Sequence, residues 1–398
     1  MRTILIALSA SLLLSSLAFP EDSEPHSPKL LLTAQRLRRL ERDRERQTVR
    51  WTNFENRVQS VPDSPERGFE LALYYAITHD EKRGREAVAW ALAHKCEQRQ
   101  VALVLDWCAE LITADEKTKI VSDCPPPASS QHAALVERDR DVLFTAIARE
   151  EDRSESHPPE WKQLLSELQR GHFVDARILY AACEYLSAVH SAQHVDLRQD
   201  DPRFFSGLPV ELLLSLRPET IQHPDWMTHV AALALVALDP NLEGSQFLQG
   251  WAIEDRQMLR EGPGVAYELL WADSYLPGVG YQNLDPWVYD SNGRLFARNA
   301  WNTDACWIAV SGRGVEQENC SAGWQTVASH FGHLTLLPAV ERCTEVAHRK
   351  NSDVVILWKM RAHQTITYLV DKKFTVAADD GGMWRLPENV EGRICVQP

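Results

Sequence analysis

One amphipathic stretch gathers several side chains that could do chemistry. HFVDARILYAACEYLSAVHSA, residues 172–192, carries His172, Arg177, Tyr180, Glu184 and Tyr185 among Ala, Leu, Ile and Val. Arg177, Tyr180 and Glu184 are three, four and seven positions apart, so a helix puts them on one face. A guanidinium can neutralise an anion there while a neighbouring phenol shuttles a proton. Arg177, His172 and Glu184 are therefore binding candidates, and Tyr180 and Tyr185 are catalytic ones. The plainer reading pairs Arg177 with Glu184 or a neighbour and leaves Tyr180 in the core.

A second pair lies in ASHFGHLTLL, where His330 and His333 are three positions apart. On a strand they point to opposite faces unless Gly332 forms a bulge. With the bulge they are catalytic candidates at a domain boundary; without it, one is packed and one exposed. His190 and His194 have the spacing of a helical zinc pair, but Ser191 stands where a metalloprotease has Glu, and no third ligand is evident. No metal site and no cofactor are expected; a structural divalent metal is left open, with no set of ligands in the sequence to support it. His229, behind the turn Pro224-Asp225-Trp226, reads as a capping or core residue. The chain has no G-x-S-x-G, Walker loop, G-x-G-x-x-G or H-E-x-x-H. Asp379-Asp380 precedes Gly381-Gly382 and reads as a turn.

These residues need elements to position them. MRTILIALSASLLLSSLAFP has a basic start, an apolar run and a small-x-small site at Ser16-Leu17-Ala18, so residues 1–18 read as a secretory signal peptide. That predicts a secreted or periplasmic protein with no membrane contact after cleavage. Residues 19–30 read as a disordered leader. From 31 to 275 the pattern is helical. Thr33 can cap a first helix, and ERGFELALYYAIT and EKRGREAVAWALAHK form a helical hairpin turning at His79-Asp80. DLRQDDPRFFSGLPVELLLSLRPE, residues 196–219, is either the rim of a cleft or a connector. Residues 276–293, rich in Pro and Gly, read as a linker. Strand patterns follow over 294–398, beginning with the hairpin RLFARNAWNTDACWIAVSGRG. The expected fold is α+β and multidomain: an (α/α) toroid of antiparallel helix pairs followed by a small antiparallel β-sandwich-like domain.

A net charge of −14 argues against nucleic acid as a partner and against a polybasic membrane surface. The 13 Trp suit both large cores and sugar-binding faces. Eight cysteines are too few for a disulfide scaffold, although some can pair in an oxidising compartment.

KLLLTAQRLRRL, ALYYAITHDEKRGREAVAWAL, LVLDWCAELITADEKTK, and then YELLWADSYLP ahead of the hairpin, resemble in order the segments of heparinase II/III-like proteins. The resemblance covers most of residues 29–314. It implies a toroid packed on a β-sandwich and a polysaccharide or oligosaccharide partner. It also implies β-elimination of uronic-acid glycans: a base takes the C5 proton, an acid protonates the leaving oxygen, and a third group neutralises the carboxylate. The chain departs from the family in having no Asn-Asn pair and in carrying Gln317 to Gly323 where closely spaced histidines are usual. The alternatives are a catalytically inactive carbohydrate-binding or structural relative, and a toroid glycoside hydrolase with two facing carboxylates.

Overall fold

The computed structural model describes residues 28–121, 132–149, 161–169, 175–254 and 256–284, and strand segments within 287–319 and 358–378. The expected signal peptide and most of the leader, together with His172, His330 and His333, lie outside the described residues.

Among the described residues fourteen α-helices are formed. They are α1 (Ala34–Glu45), α2 (Val49–Ser60), α3 (Arg67–Thr78), α4 (Glu81–Ala93), α5 (Gln98–Trp107), α6 (Ala114–Val121) and α7 (His132–Ala148), then α8 (Trp161–Gln169), α9 (Ala176–Gln193), α10 (Pro202–Ser215), α11 (Pro218–Gln222), α12 (Trp226–Leu238), α13 (Glu243–Ala252) and α14 (Gly264–Trp271). Local chemistry sets their ends. The side chains of Thr33, Asp80, Asp175, Asp201 and Asp225 each accept a backbone N–H of the first turn that follows. His79, in the left-handed region at φ 57°, ends α3, and Asp80 starts α4 at once.

The packing order makes a circuit. α3 lies on α5, α5 on α7, α7 on α9, α9 on α12, α12 on α14, α14 on α2, and α2 on α3. α4, α8 and α13 pack on α3, α9 and α12 respectively. The arrangement is toroid-like. α12 is apolar on nearly every side, and Val230, Ala231, Ala232 and Ala234 have no exposure, as an inner helix requires. The entry segment is clamped as well. The Asp106 carboxylate accepts the backbone N–H of Lys29 and Leu30, and Trp107 Nε1 donates to the Leu30 carbonyl at 2.8 Å. The Asp-Trp pair is therefore a structural clasp.

The expectation of a β-sandwich-like domain over 294–398 is corrected: the described chain is predominantly helical, and no sandwich is formed in it. The strands β1 (Trp287–Tyr289), β2 (Leu295–Arg298), β3 (Trp307–Ser311) and β4 (Gly314–Glu318) make one antiparallel meander. β5 (Trp358–Lys359), β6 (Thr365–Val370) and β7 (Lys373–Ala378) make a separate one. The first sheet packs on a helix. Phe296, Trp307 and Ala309 cluster with Leu214 of α10, Trp307 Nε1 donates to the Leu214 carbonyl, and Arg298 Nη2 donates to the Leu216 carbonyl. Alternating hydrophobicity shows that a strand has a face to bury, but not whether a sheet or a helix covers it. Among the described residues no helix is long and apolar enough to cross a membrane.

The segment read as a linker is docked at its start. Val279 N–H donates to the Gln246 carbonyl at 3.0 Å, and a Cβ on Gly250 would run into the Val279 carbonyl. Backbone cannot move aside as a flexible side chain can, so Gly250→Ala is expected to lower stability by about 1–3 kcal/mol. Its urea midpoint should fall accordingly; an unchanged midpoint would show that 276–280 does not lie against α13.

Candidate functional site

The interior of the helix circuit holds a charge cluster. α5 is apolar over most of its length, yet Arg99 points inward and is buried. Its Nε and Nη2 donate to Glu184 of α9, the Nη2 bond being 2.6 Å. Arg140 of α7 donates to the other Glu184 oxygen at 2.9 Å. The Tyr180 hydroxyl donates to Glu184 Oε1 at 2.7 Å, and Arg99 Nη1 reaches the Tyr267 hydroxyl and Glu66. Glu184 has no exposure. Burial alone would raise its carboxyl, but the Arg99 and Arg140 guanidinium groups outweigh burial and hold it below the ordinary carboxylate range. Burial first, then the Glu184 charge, pushes the Tyr180 phenol well above its usual value.

A relay of contacts leads from this cluster to a pocket. Trp271 Nε1 donates to the Tyr180 hydroxyl at 3.1 Å, and the Arg36 guanidinium lies over the Trp271 ring, 4.2 Å from its centroid. Arg36 and Arg39, on successive turns of α1, line a cavity of about 290 Å³ with Ser187, His190, Arg198 and Asp273 among its other walls. The pocket sits where α9, α12 and α14 end. Helix C-termini carry exposed carbonyls and a negative dipole end. Arginines answer them: Arg39 donates to the carbonyls of Leu269, Leu270 and Ala272, and Arg198 to that of Leu238.

The charge balance of the pocket is uneven. Asp196 is tied to Arg198 through a 2.8 Å ion pair. No carboxylate lies within ion-pairing distance of Arg36 or Arg39 among the described residues. Arg36 donates to the Leu31 carbonyl, and Arg39 Nε has no hydrogen-bond partner although it is buried. Burial, with the Arg39 charge added, lowers Arg36 to about 9; burial likewise lowers Arg39, against the opposing pull of the Asp273 and Asp43 charges and with Arg50 adding to the lowering. Two neighbouring cations, one buried and one half-buried, with Asp273 and Asp43 compensating only Arg39, favour a further negative charge beside Arg36.

The candidates read from sequence are separated by this geometry. Tyr180 and Glu184 are together, but inside the charge cluster. Arg177 is exposed at the start of α9 and does not join them. Glu184 takes its cations from α5 and α7 instead. Tyr185 is buried, its ring stacked 6.1 Å from Trp161. His190 is exposed at the pocket wall; His194 ends α9 in the left-handed region. No group of three or more metal-ligating side chains is positioned to hold an ion among the described residues. Cys96 is disulfide-bonded. Cys108 and Cys183 are free thiols, and burial raises both, Cys108 to about 12. Neither is a nucleophile at neutral pH.

Sequence reasoning did not find Arg36, Arg39, Arg99 or Arg140. The first two lie in RLRRLERDRER, where alternating Arg and acidic residues give no sign of which cations another element covers. Arg99 gave a signal, because one cation in an apolar helix needs a buried partner. No protein-family model matches the chain, and no curated protein matches it.

Two outcomes follow from this geometry. Glu184→Gln leaves Arg99 and Arg140 buried without their shared counter-charge. Urea unfolding should show a loss of about 3–5 kcal/mol, with Arg177→Gln unchanged. His229 has no exposure and no hydrogen bond, and Glu268 Oε2, at 3.7 Å, is too far to make one. Burial, with Arg50 nearby, lowers His229 from 6.5 to about 4. In that window the unfolded chain binds the proton and the folded chain does not, so stability rises with pH from about 4 to 6.5 and is lost on acidification. His229→Leu should flatten that part of the stability–pH curve relative to the parent; parallel curves would refute it.

Proposed function

We propose that the protein takes uronic-acid-containing glycans at the end pocket and cleaves them by β-elimination, as its resemblance to heparinase II/III-like lyases implies. The observation that carries this reading is the Arg36–Arg39 pair, one half-buried and one buried guanidinium group, neither of them ion-paired to a carboxylate among the described residues. A uronate carboxylate adds negative charge there beyond what Asp273 and Asp43 bring to Arg39, and planar guanidinium forks suit a carboxylate. Neutralising that carboxylate is also what β-elimination needs, because it makes the adjacent C5 proton more acidic. Loss of that proton leaves its electron pair to form the C4–C5 double bond, and the glycosidic oxygen departs with a proton. His190, on the pocket wall, is the proton-transfer group in this scheme, since an imidazole has one nitrogen to accept a proton and one to donate it. The neutralising role first read into Arg177 passes to Arg36 and Arg39.

A second reading, carbohydrate binding without cleavage, is favoured by one observation. The Tyr180 hydroxyl is buried and committed to Glu184, Arg99 and Trp271, so it cannot serve a substrate.

Purified mature protein offered alginate, pectate, hyaluronan, and heparan and chondroitin sulfates decides between them. Cleavage yields an unsaturated product that absorbs in the near ultraviolet. On the lyase reading at least one polymer gives that signal, His190→Gln abolishes it while binding persists, and Arg36→Gln weakens binding by at least about tenfold. Binding with no product supports the second reading. Folded protein that binds none of the polymers would contradict both.

A further inference from the structure

The outer face of α1 continues from the pocket. Arg38, Arg42 and Arg46 are exposed and four positions apart. On a helix this sets them along one stripe, about 6 Å of rise per step. Arg38 and Arg42 share their helix with Arg36 and Arg39. Glu41 and Glu45 are on the same helix, yet none of the three stripe arginines is ion-paired to a carboxylate among the described residues. They form a local concentration of unpaired positive charge on a chain whose net charge is −14.

An aromatic side chain completes the feature. Tyr275 is 45% exposed, which is unusual for so large a ring. The Arg42 and Arg46 guanidinium groups lie 5.2 and 5.4 Å from its centroid, and Arg46 Nη1 donates to its hydroxyl at 2.9 Å. Tyr275 is held in place by its neighbours, its backbone N–H donating to Asp273 at 2.9 Å. Asp273 and Leu276, on either side of it in the chain, both line the pocket. The platform and the pocket are thus continuous along one short segment. A flat, part-exposed ring with two guanidinium groups over it fits an acidic sugar, whose apolar face packs on the exposed part of the ring while its carboxylate meets the guanidinium groups.

We infer that Tyr275 with Arg42 and Arg46 forms a second subsite, which takes a further uronate unit of the same chain whose bound unit occupies the Arg36–Arg39 pocket. This rests on the pocket reading above and adds the ligand's form: an extended polyanionic oligosaccharide gripped at two points. Two linked sites on one ligand strengthen binding through effective concentration, without any change in the first site.

Titration calorimetry on the full mature protein tests this with a single uronic acid and with an unsulfated oligouronate of the same sugar. The variants are Arg42→Gln/Arg46→Gln, Tyr275→Ala and Arg36→Gln. The expected result is that the oligomer binds at least about tenfold tighter than the monomer, and that both stripe variants remove this advantage while monomer affinity is unchanged. An equal affinity for monomer and oligomer, or a length advantage untouched by the stripe variants, would overturn the second subsite and leave the pocket reading standing. Oligomer binding that Arg36→Gln leaves intact but the stripe variants abolish would overturn the pocket reading and leave the stripe as the site. No binding of either ligand would overturn both. Arg42, Arg46 and Tyr275 are exposed, so their substitutions leave the fold intact, and unchanged thermal unfolding checks this for every variant, Arg36→Gln included.

Discussion

A single carboxylate ties the helix circuit together. Glu184 stands on α9 and is held by Arg99 from α5, Arg140 from α7 and Tyr180 from its own helix. Three inner helices share that one charge. A buried ion cluster adds less net stability than its short bonds suggest, because three charges had to leave water. Its value is in what it forbids. Any rotation or slip of α5, α7 or α9 that parts the group leaves a buried charge alone, at a cost comparable with much of a domain's total stability. The cluster therefore fixes the register of the inner ring, and Arg99 extends that constraint to α14 through Tyr267.

The same logic runs outward at the helix ends. Arg39 covers the last carbonyls of α14, Arg198 that of α12, and Arg298 the one just beyond α10. Each places a cation where a helix presents a negative end. Arg298 and Trp307 in this way fasten the first sheet to α10. At the end of α14 the compensation goes further than the carbonyls require, because Arg36 stands beside Arg39, bonded to the Leu31 carbonyl and set over the Trp271 face, while Asp273 and Asp43 act on Arg39. That surplus of cation is the basis of the proposed function. The inner cluster positions it, since Tyr180 holds Trp271 and Trp271 carries Arg36 on its face.

Much of the helical framework was legible in the sequence. Thr33, Asp80 and the periodic apolar positions of ERGFELALYYAIT announce their helices by local chemistry, which needs no knowledge of the fold. What covers a face is not local, so Phe296 and Trp307 marked strands without revealing that a helix would pack on them. The site was harder still. Tyr180 and Glu184 were rightly placed on one helix face, but spacing along α9 could not show that their cations come from α5 and α7, far away in sequence. Arg36 and Arg39 were hidden by their neighbours, because a helix crowded with Arg and Glu looks solvated until the end of another helix is laid over it.

The claim at the centre of this account is that the Arg36–Arg39 pocket recognises negative charge on a sugar. The most direct measurement compares, on the parent protein, the affinity of a uronic acid with that of its neutral methyl ester, which has the same ring and hydroxyls. The account predicts that the acid binds at least about tenfold tighter and that raising the salt concentration narrows the gap. Equal affinities for the acid and the ester would contradict it.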